Sequence, residues 1–237
     1  MKTLLALLIA TLLPMANAAE AQAVPKSPKP MKIGIIGAGE IGGALARHWS
    51  AAGHQLLISS RHPEQLQAFA KELGPNVKAG TPREAAAFGD VVMLAVPYGA
   101  TPQVGRDYAA ELKGKVVLDA GNPYPSRDGD MAVRDRQRGT GVASAEYLPG
   151  TRLVRAFNAI NSGPLQRDAF RKPERLGIPL AADDADAMKI AAQLVTDAGF
   201  DPVPVGKLSR AREFDYGTPV YVRGMTAAEL RHALGLK

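Results

Sequence analysis

Residues 31–43 read Met31-Lys32-Ile33-Gly34-Ile35-Ile36-Gly37-Ala38-Gly39-Glu40-Ile41-Gly42-Gly43. A short apolar run leads into glycines spaced Gly-x-Gly-x-x-Gly, and a segment of helical composition follows. In such a unit the first glycine permits a tight turn, the second lets backbone approach a pyrophosphate, and the third lets helix pack on strand. The helix N-terminus adds free N–H groups. The motif therefore predicts a dinucleotide-binding loop with these cofactor-binding residues: Gly37, Ala38, Gly39, Glu40, Ile41 and Gly42.

The alternative explanation of the motif is a glycine-rich turn that only allows close packing. The surrounding sequence favours the dinucleotide site, because a second strand, residues 54–59, follows at about the 20-residue spacing of a dinucleotide-binding unit.

This second strand ends in Ser59-Ser60-Arg61. An NAD-selective site carries Asp or Glu here to hold the ribose 2′-hydroxyl, and neither is present. Ser59 and Ser60 offer hydroxyls, and Arg61 offers a planar cation that can hold a 2′-phosphate through two hydrogen bonds. We therefore predict NADP as the cofactor. An N-cap serine followed by a solvated arginine is the alternative, and both can hold at once.

Strand and helix patterns alternate along the rest of the chain, with further strands predicted at residues 77–79, 90–97, 115–120 and 152–158. This alternation predicts an α/β fold, a Rossmann-type doubly wound parallel sheet. Ligands bind such sheets at the carboxyl ends of the strands. Further cofactor-binding residues are therefore predicted there: Ala95, Val96, Pro97, Tyr98, Ala120, Gly121, Asn122 and Asn158. Tyr98 either stacks on the cofactor or only packs the loop.

The last third of the chain is predicted to form a small C-terminal α/β unit docked on the sheet. The expected domains are 31–158 for NADP binding and 159–237 for the substrate or dimerisation. Residues 126–141 are rich in Gly, Arg and Asp and predict a surface loop. Its arginines either meet an anionic substrate or form a solvated face: Arg127, Arg134, Arg136 and Arg138.

The composition of the 237 residues excludes several classes of protein. The net charge is +6, but aromatic residues make up only 5%, so we expect no nucleic-acid partner. The absence of cysteine excludes thiolate chemistry and disulfides. No metal site is predicted, because the four histidines have no metal-ligand spacing: His48, His54, His62 and His232.

The first 18 residues predict an export signal. Lys2 provides a positive start, Leu4–Leu13 a short apolar core, and Ala16-Asn17-Ala18 a cleavage site. Residues 19–30 predict a flexible linker. We expect a periplasmic or secreted protein without a membrane span after cleavage, or a cytoplasmic one if translation starts at Met31.

These motifs together resemble the F420-dependent NADP oxidoreductase family, and a similar arrangement occurs in the reductase domain of the STEAP metalloreductases. The resemblance runs from Met31 to the end of the chain and rests on residues 32–43, 53–61, 95–98, 119–125, 143–148, 156–158 and 208–213. It implies NADP along the glycine loop, with its 2′-phosphate on Ser60 and Arg61. It also implies F420 or a flavin beside the nicotinamide, direct hydride transfer between the rings, and homodimerisation through the C-terminal unit.

The leading hypothesis is therefore an NADP-dependent oxidoreductase that transfers a hydride between NADP(H) and F420, a flavin or a related small acceptor. Such a transfer needs alignment and a dry site more than a general acid, so no catalytic residue is assigned. The alternative is a non-catalytic NADP-binding sensor or assembly protein. A third reading is an enzyme of the pyrroline-carboxylate reductase type. An apolar, ring-sized cleft over Ala120–Asn122 and Phe157–Asn158 is expected only for an enzyme.

Overall fold

The computed structural model describes residues 24–236. Eight strands form one sheet in the order β3-β2-β1-β4-β5-β6-β7-β8. Their bounds are β1 Lys32–Ile36, β2 Gln55–Ser59, β3 Val77–Gly80, β4 Val91–Leu94, β5 Val116–Asp119, β6 Arg152–Arg155, β7 Gly177–Ala182 and β8 Asp201–Gly206. All neighbours are parallel except β6 and β7, which are antiparallel. The predicted α/β Rossmann-type fold is confirmed.

Helices cover both faces of the sheet. Their bounds are α1 Glu40–Ala51, α2 Gln67–Leu73, α3 Pro82–Phe88, α4 Thr101–Asp107, α5 Ala109–Leu112, α6 Pro125–Arg138, α7 Thr140–Tyr147, α8 Ser162–Arg167, α9 Ala185–Asp197 and α10 Ala227–Ala233. Three short 3₁₀ helices, at residues 63–66, 98–100 and 208–213, complete the described elements.

The central strands are buried on both faces, as parallel strands between helix layers must be. Ile33 and Ile35 of β1 pack on one face with Met93 of β4, and Ile36 packs on the other face with Leu94. All four residues of β4 are buried. Because β1 and β4 are neighbouring parallel strands, their carboxyl ends lie side by side at one edge of the core.

The C-terminal residues extend the same sheet. Strands β7 and β8 continue it beyond β6, and α9 packs on them. The prolines of β8 lie at the sheet edge, where a missing backbone donor is tolerated. The boundary predicted at residue 158 stays a prediction.

The prediction of a surface loop at residues 126–141 is wrong. This segment forms most of α6 and the start of α7. A kink at Gly129, whose φ is 61°, interrupts the helical pattern, and the many charges hide a buried stripe at Ala132 and Asp135. Tertiary packing of that stripe overrides the loop-like composition.

The predicted export signal, residues 1–18, lies outside the described residues. Of the predicted linker, residues 24–30 are described and contain no helix or strand. Ser27 is nevertheless buried, and its hydroxyl donates to Oδ2 of Asp197 at 2.8 Å. Among residues 24–236, no helix combines the length and hydropathy needed to span a membrane.

Candidate active site

The glycine loop between β1 and α1 has a fixed conformation. Gly37 has a φ of 97°, and a Cβ there would lie 2.5 Å from the carbonyl oxygen of Ala95. A Cβ on Gly42 would lie 2.0 Å from the carbonyl oxygen of Gly37. Both positions therefore require glycine, for the turn and for the packing of helix on strand.

Gly39 differs from these two glycines because a Cβ there would have no described atom within 4 Å. It is the N-cap of α1 and has no side chain to cap the first N–H groups of the helix. An open, uncapped N-terminus of a 12-residue helix suits an anionic pyrophosphate. The loop thus fits a dinucleotide.

The end of β2 lies directly against this loop. The backbone N–H groups of Gly37 and Ala38 donate to the carbonyl oxygen of Ser59 at 3.2 and 3.0 Å. The Ser59 hydroxyl, however, is buried and donates to the carbonyl oxygen of Ile35 at 2.8 Å. The prediction that this hydroxyl contacts the cofactor is therefore wrong, because it already satisfies a backbone group inside the sheet.

Ser60 and Arg61 follow at the surface beside the loop. The Ser60 hydroxyl oxygen accepts from the backbone N–H of His62 at 3.0 Å, so its proton remains available to a ligand. Arg61 is exposed, and within residues 24–236 its guanidinium has no ion pair. The pair offers a hydroxyl and an uncommitted cation where a ribose 2′-phosphate is expected.

A cleft of about 330 Å³ opens at the carboxyl ends of the parallel strands. Predicted cofactor residues that line it are Glu40, Ile41, Ala95, Val96, Pro97, Ala120, Gly121, Asn122 and Asn158. The other lining residues are Tyr124, Arg127, Phe157, Ile160, Asn161, Ser162 and Tyr221. The cleft lies over residues 120–122 and 157–158, the position expected for an enzyme. Its wall contains amide and hydroxyl groups as well as apolar groups, whereas an apolar cleft was expected.

Tyr98 does not line this cleft. Its side chain is fully buried, and its hydroxyl donates to Oδ2 of Asp135 at 3.3 Å. Its ring packs edge-on against Tyr147 at 6.4 Å between centroids. Of the two predicted roles, the structure assigns loop packing to this side chain and rules out stacking on a cofactor.

Two buried amides in the cleft wall each keep an unpartnered oxygen. Nδ2 of Asn122 donates to the carbonyl oxygen of Asn158 at 2.8 Å. Nδ2 of Asn158 donates to the carbonyl oxygen of Phe214 at 3.4 Å. Neither Oδ1 atom has a hydrogen-bond partner in the described part of the chain. Buried acceptors without partners are costly, and the carboxamide NH₂ of a nicotinamide is a donor that fits them.

The backbone is strained where β6 meets the cleft. Phe157 has a φ of 60°, a left-handed conformation that costs a non-glycine residue on the order of 1–3 kcal/mol. Its ring is buried and packs edge-on against Trp49 of α1 at 6.1 Å between centroids. Burial of this ring offsets the strain and fixes the position of Asn158, the next residue.

Arg155, at the end of β6, joins the loops around the cleft. Its side chain is fully buried and donates to Oδ2 of Asp119 at 2.8 Å, to the carbonyl oxygen of Gly121 at 2.7 Å, and to Oδ1 of Asp215 at 3.0 Å. Burial alone lowers the pKa of this guanidinium, but the facing carboxylates raise it, so it stays a cation. The network connects β5, β6 and the C-terminal residues below the cleft.

Three tyrosines form a cluster beside the cleft: Tyr124, Tyr216 and Tyr221. The hydroxyls of Tyr124 and Tyr221 lie 2.6 Å apart, and the Tyr216 ring packs edge-on against both rings. Burial and the Tyr124 hydroxyl raise the pKa of Tyr221, so it stays protonated at neutral pH. None of the described lining residues is histidine or lysine, and no three potential metal ligands cluster within residues 24–236.

Sequence reasoning missed the tyrosine cluster and the Arg155 network. Tyr124 and Tyr221 are 97 residues apart, and no local pattern connects them. The one available signal is the charged Arg155 between the apolar residues Val154 and Ala156, since a buried arginine requires acidic partners.

Comparison with known proteins agrees with this geometry. Residues 32–123 match the family described as NADP oxidoreductase coenzyme F420-dependent. The F420-dependent NADP reductase of Methanothermobacter thermautotrophicus is 31% identical over 217 residues, covering 86% of this chain and 93% of the relative.

Two further proteins are similar to this chain. Metalloreductase STEAP3 of Rattus norvegicus is 27% identical over 199 residues, covering 81% of this chain and 37% of the relative. A crystal structure of a hypothetical protein from Sinorhizobium meliloti has 29% sequence identity and a TM-score of 0.72, covering 84% of this chain and 96% of that one. The chain belongs to the F420-dependent NADP oxidoreductase family and is an NADP-dependent oxidoreductase.

Proposed function

We propose that this protein transfers a hydride between NADP(H) and a flat ring of the deazaflavin or flavin type, with F420 as the first candidate. The observation that carries the proposal is the cleft of about 330 Å³ beside the glycine loop, with amide oxygens and tyrosines in its wall. The relatives named F420-dependent NADP reductases support the choice of acceptor.

The chain offers separate groups for each part of NADP. The open N-terminus of α1 at Gly39 suits the pyrophosphate, and Ser60 and Arg61 suit the 2′-phosphate. The free Oδ1 atoms of Asn122 and Asn158 suit the nicotinamide carboxamide. Bound NADPH supplies a hydride from its nicotinamide ring.

Hydrogen bonds around the cleft fix the positions of its loops. Asn122 is held through its carbonyl oxygen by Arg127 at 2.7 Å, and Gly121 by Arg155 at 2.7 Å. At the mouth of the cleft, the Ser162 hydroxyl donates to a carboxylate oxygen of Glu40 at 2.7 Å. These contacts hold the segments that follow β1, β5 and β6 in one arrangement, which is what a direct ring-to-ring transfer requires.

The polar wall also matches the chemistry of the proposed acceptor. Flavins and deazaflavins carry carbonyl and N–H groups along one edge of a flat ring. The paired hydroxyls of Tyr124 and Tyr221 offer donors and acceptors beside aromatic surface.

The test is a titration of the purified full chain with NADPH and NADH, followed by NADPH oxidation assays with F420, FMN and FAD. We expect tighter binding of NADPH and turnover of at least one of these acceptors. Tight NADPH binding without turnover of any acceptor would contradict the proposal and favour a sensor. If neither nucleotide binds, the glycine motif is a structural turn and not a cofactor site.

A further inference from the structure

A second pocket lies on the other side of Tyr216 from the cleft. Its volume is about 410 Å³, and its lining residues are Val133, Arg136, Gln137, Thr140, Arg212, Asp215, Tyr216 and Thr218. Tyr216 lines this pocket and not the cleft, but its ring packs against the cleft residues Tyr124 and Tyr221 at 4.9 and 5.4 Å between centroids, so one layer of side chains separates the two.

This pocket carries two uncommitted positive charges. Neither Arg136 nor Arg212 forms an ion pair within residues 24–236, and the Arg136 guanidinium stacks over the Tyr216 ring at 4.7 Å. The neighbouring arginines of α6 differ, because Arg134 pairs with Asp135 and Arg138 pairs with Glu146.

The Arg155 cation is shared by Asp119 and Asp215, so these three groups together carry one negative charge, against the two positive charges of Arg136 and Arg212. Asp215 also lines the pocket. Its Oδ1 accepts from Arg155 at 3.0 Å, and its Oδ2 accepts from the backbone N–H of Thr140 at 3.2 Å. The charge that remains for a ligand is therefore positive.

Two threonine hydroxyls in the pocket lack partners. Thr140 is 1% exposed, and its Oγ1 has no hydrogen bond among the described residues. Oγ1 of Thr218 is likewise inaccessible to solvent and unpaired in that part of the chain. A buried hydroxyl without a partner is unfavourable, so these groups point to a ligand with strong acceptor oxygens.

The pocket also has an apolar edge. Val133 is 46% exposed, which is unusual for this chain, and it lines the pocket together with the Tyr216 ring. An anionic group attached to a carbon chain would cover this surface, whereas a bare ion would leave it exposed to water.

From these contacts we infer that the pocket binds a phosphate or similar anionic group, and that this group is the tail of the substrate whose ring occupies the cleft. The tail assignment rests on the proposed function. Arg136 and Arg212 would donate to the anion, as would the hydroxyls of Thr140 and Thr218. A chain passing Tyr216 would connect ring and anion.

Two measurements test this inference on the full chain saturated with NADP⁺. The first is calorimetric titration with inorganic pyrophosphate, and the second is flavin fluorescence titration with FMN and with riboflavin, which lacks the phosphate. The variants are Arg136→Gln with Arg212→Gln, and Thr140→Val. The matched control is Arg138→Gln, because Arg138 lies on the same helix outside the pocket.

We expect pyrophosphate affinity to fall about 10-fold or more in the double variant and several-fold in Thr140→Val, with no change in the control. We also expect the preference for FMN over riboflavin to disappear in the double variant. Loss of pyrophosphate binding with no effect on the flavins would overturn the tail assignment and indicate a site for a free anion. Equal pyrophosphate affinity in the parent, the variants and the control would show that this pocket does not bind the anion. Neither measurement depends on NADPH oxidation, so both results are independent of the oxidation assays that test the proposed function.

Discussion

The two sides of the cleft are built differently. The glycine loop at residues 37–42 is made of backbone, and its shape follows from positions where a Cβ would collide with a carbonyl oxygen. The opposite side is made of side chains, namely the tyrosine cluster and the buried network around Arg155. The first side depends on residues that are close in sequence, and the second joins residues up to 97 positions apart.

This difference explains which side is open to variation. Backbone N–H groups and a helix dipole recognise a pyrophosphate in any protein that folds this way. On the other side, the Arg155 network is needed for the fold, whereas the tyrosine cluster is less constrained, so we expect the tyrosines to influence what the cleft accepts beside NADP.

The largest effect is expected from Arg155→Met. This change leaves the carboxylates of Asp119 and Asp215 buried without their cation, which costs about 3–5 kcal/mol. The free energy of unfolding, measured in urea, should fall by that amount. Arg152→Met on the same strand is the control, because Arg152 is 34% exposed and its pair with Asp184 should contribute less than about 1 kcal/mol. Equal losses would show that the network does not hold this side together.

The next effect separates binding from folding within the glycine loop. Gly39→Ala places a Cβ in open space at a φ of −75°, which alanine adopts freely, so the free energy of unfolding should change by less than about 1 kcal/mol. NADPH affinity should fall roughly 100-fold, or about 2.7 kcal/mol, because the Cβ occupies the space for the pyrophosphate.

Gly37→Ala is the companion variant, and it should lower both stability and affinity, since its φ is 97° and its Cβ would lie 2.5 Å from Ala95. Calorimetric NADPH titration and urea unfolding of both variants give the four values. If Gly39→Ala bound NADPH as tightly as the parent, the pyrophosphate would not sit at this helix terminus.

A smaller effect tests the cofactor preference. Arg61→Ala should weaken NADPH binding by about 1.5–3 kcal/mol, the usual range for a charge-assisted contact, and leave NADH binding nearly unchanged. Arg231→Ala is the control, because Arg231 is an exposed arginine of α10, which packs on the opposite end of the sheet. Equal losses for NADPH and NADH in Arg61→Ala would refute the 2′-phosphate assignment.

The smallest effect is expected from Tyr221→Phe. This change removes the hydroxyl contact with Tyr124 at 2.6 Å and keeps the ring packing, so stability should fall by about 0.5–1.5 kcal/mol. If the tyrosines contact only the second substrate, the KM for that substrate should rise while the NADPH dissociation constant stays constant. A change in NADPH affinity alone would indicate that the tyrosines contact the cofactor instead of the second substrate.

The sequence was informative where function depends on local backbone. The alternation of the first six strands with helices, the glycine loop, and the position of Arg61 beside it all follow from patterns within about 30 residues, the length of one βαβ unit. The exceptions were side-chain directions: Ser59 and Tyr98 lie at the predicted positions, but their hydroxyls point into the protein and bond to Ile35 and Asp135.

The other half of the site could not be predicted because it depends on distant partners. Helix α6 was predicted as a loop, since its charges and Gly129 conceal the buried stripe by which it packs on α7 and on the 3₁₀ helix at residues 98–100. Asp215 meets Arg155 only after β7 and β8 have extended the sheet past β6. No periodicity encodes such a contact.

Direct hydride transfer from NADPH to the acceptor can be followed with a deuterium label. NADPH carrying deuterium on either face of nicotinamide C4 is oxidised by the protein with F420 as acceptor, and the product is analysed by mass spectrometry and NMR. If the hydride passes directly from ring to ring, one of the two labelled forms delivers its deuterium to C5 of the deazaflavin without loss to water. Oxidation in which neither label reaches the acceptor, or no NADPH oxidation with F420 or with any flavin, would contradict direct transfer.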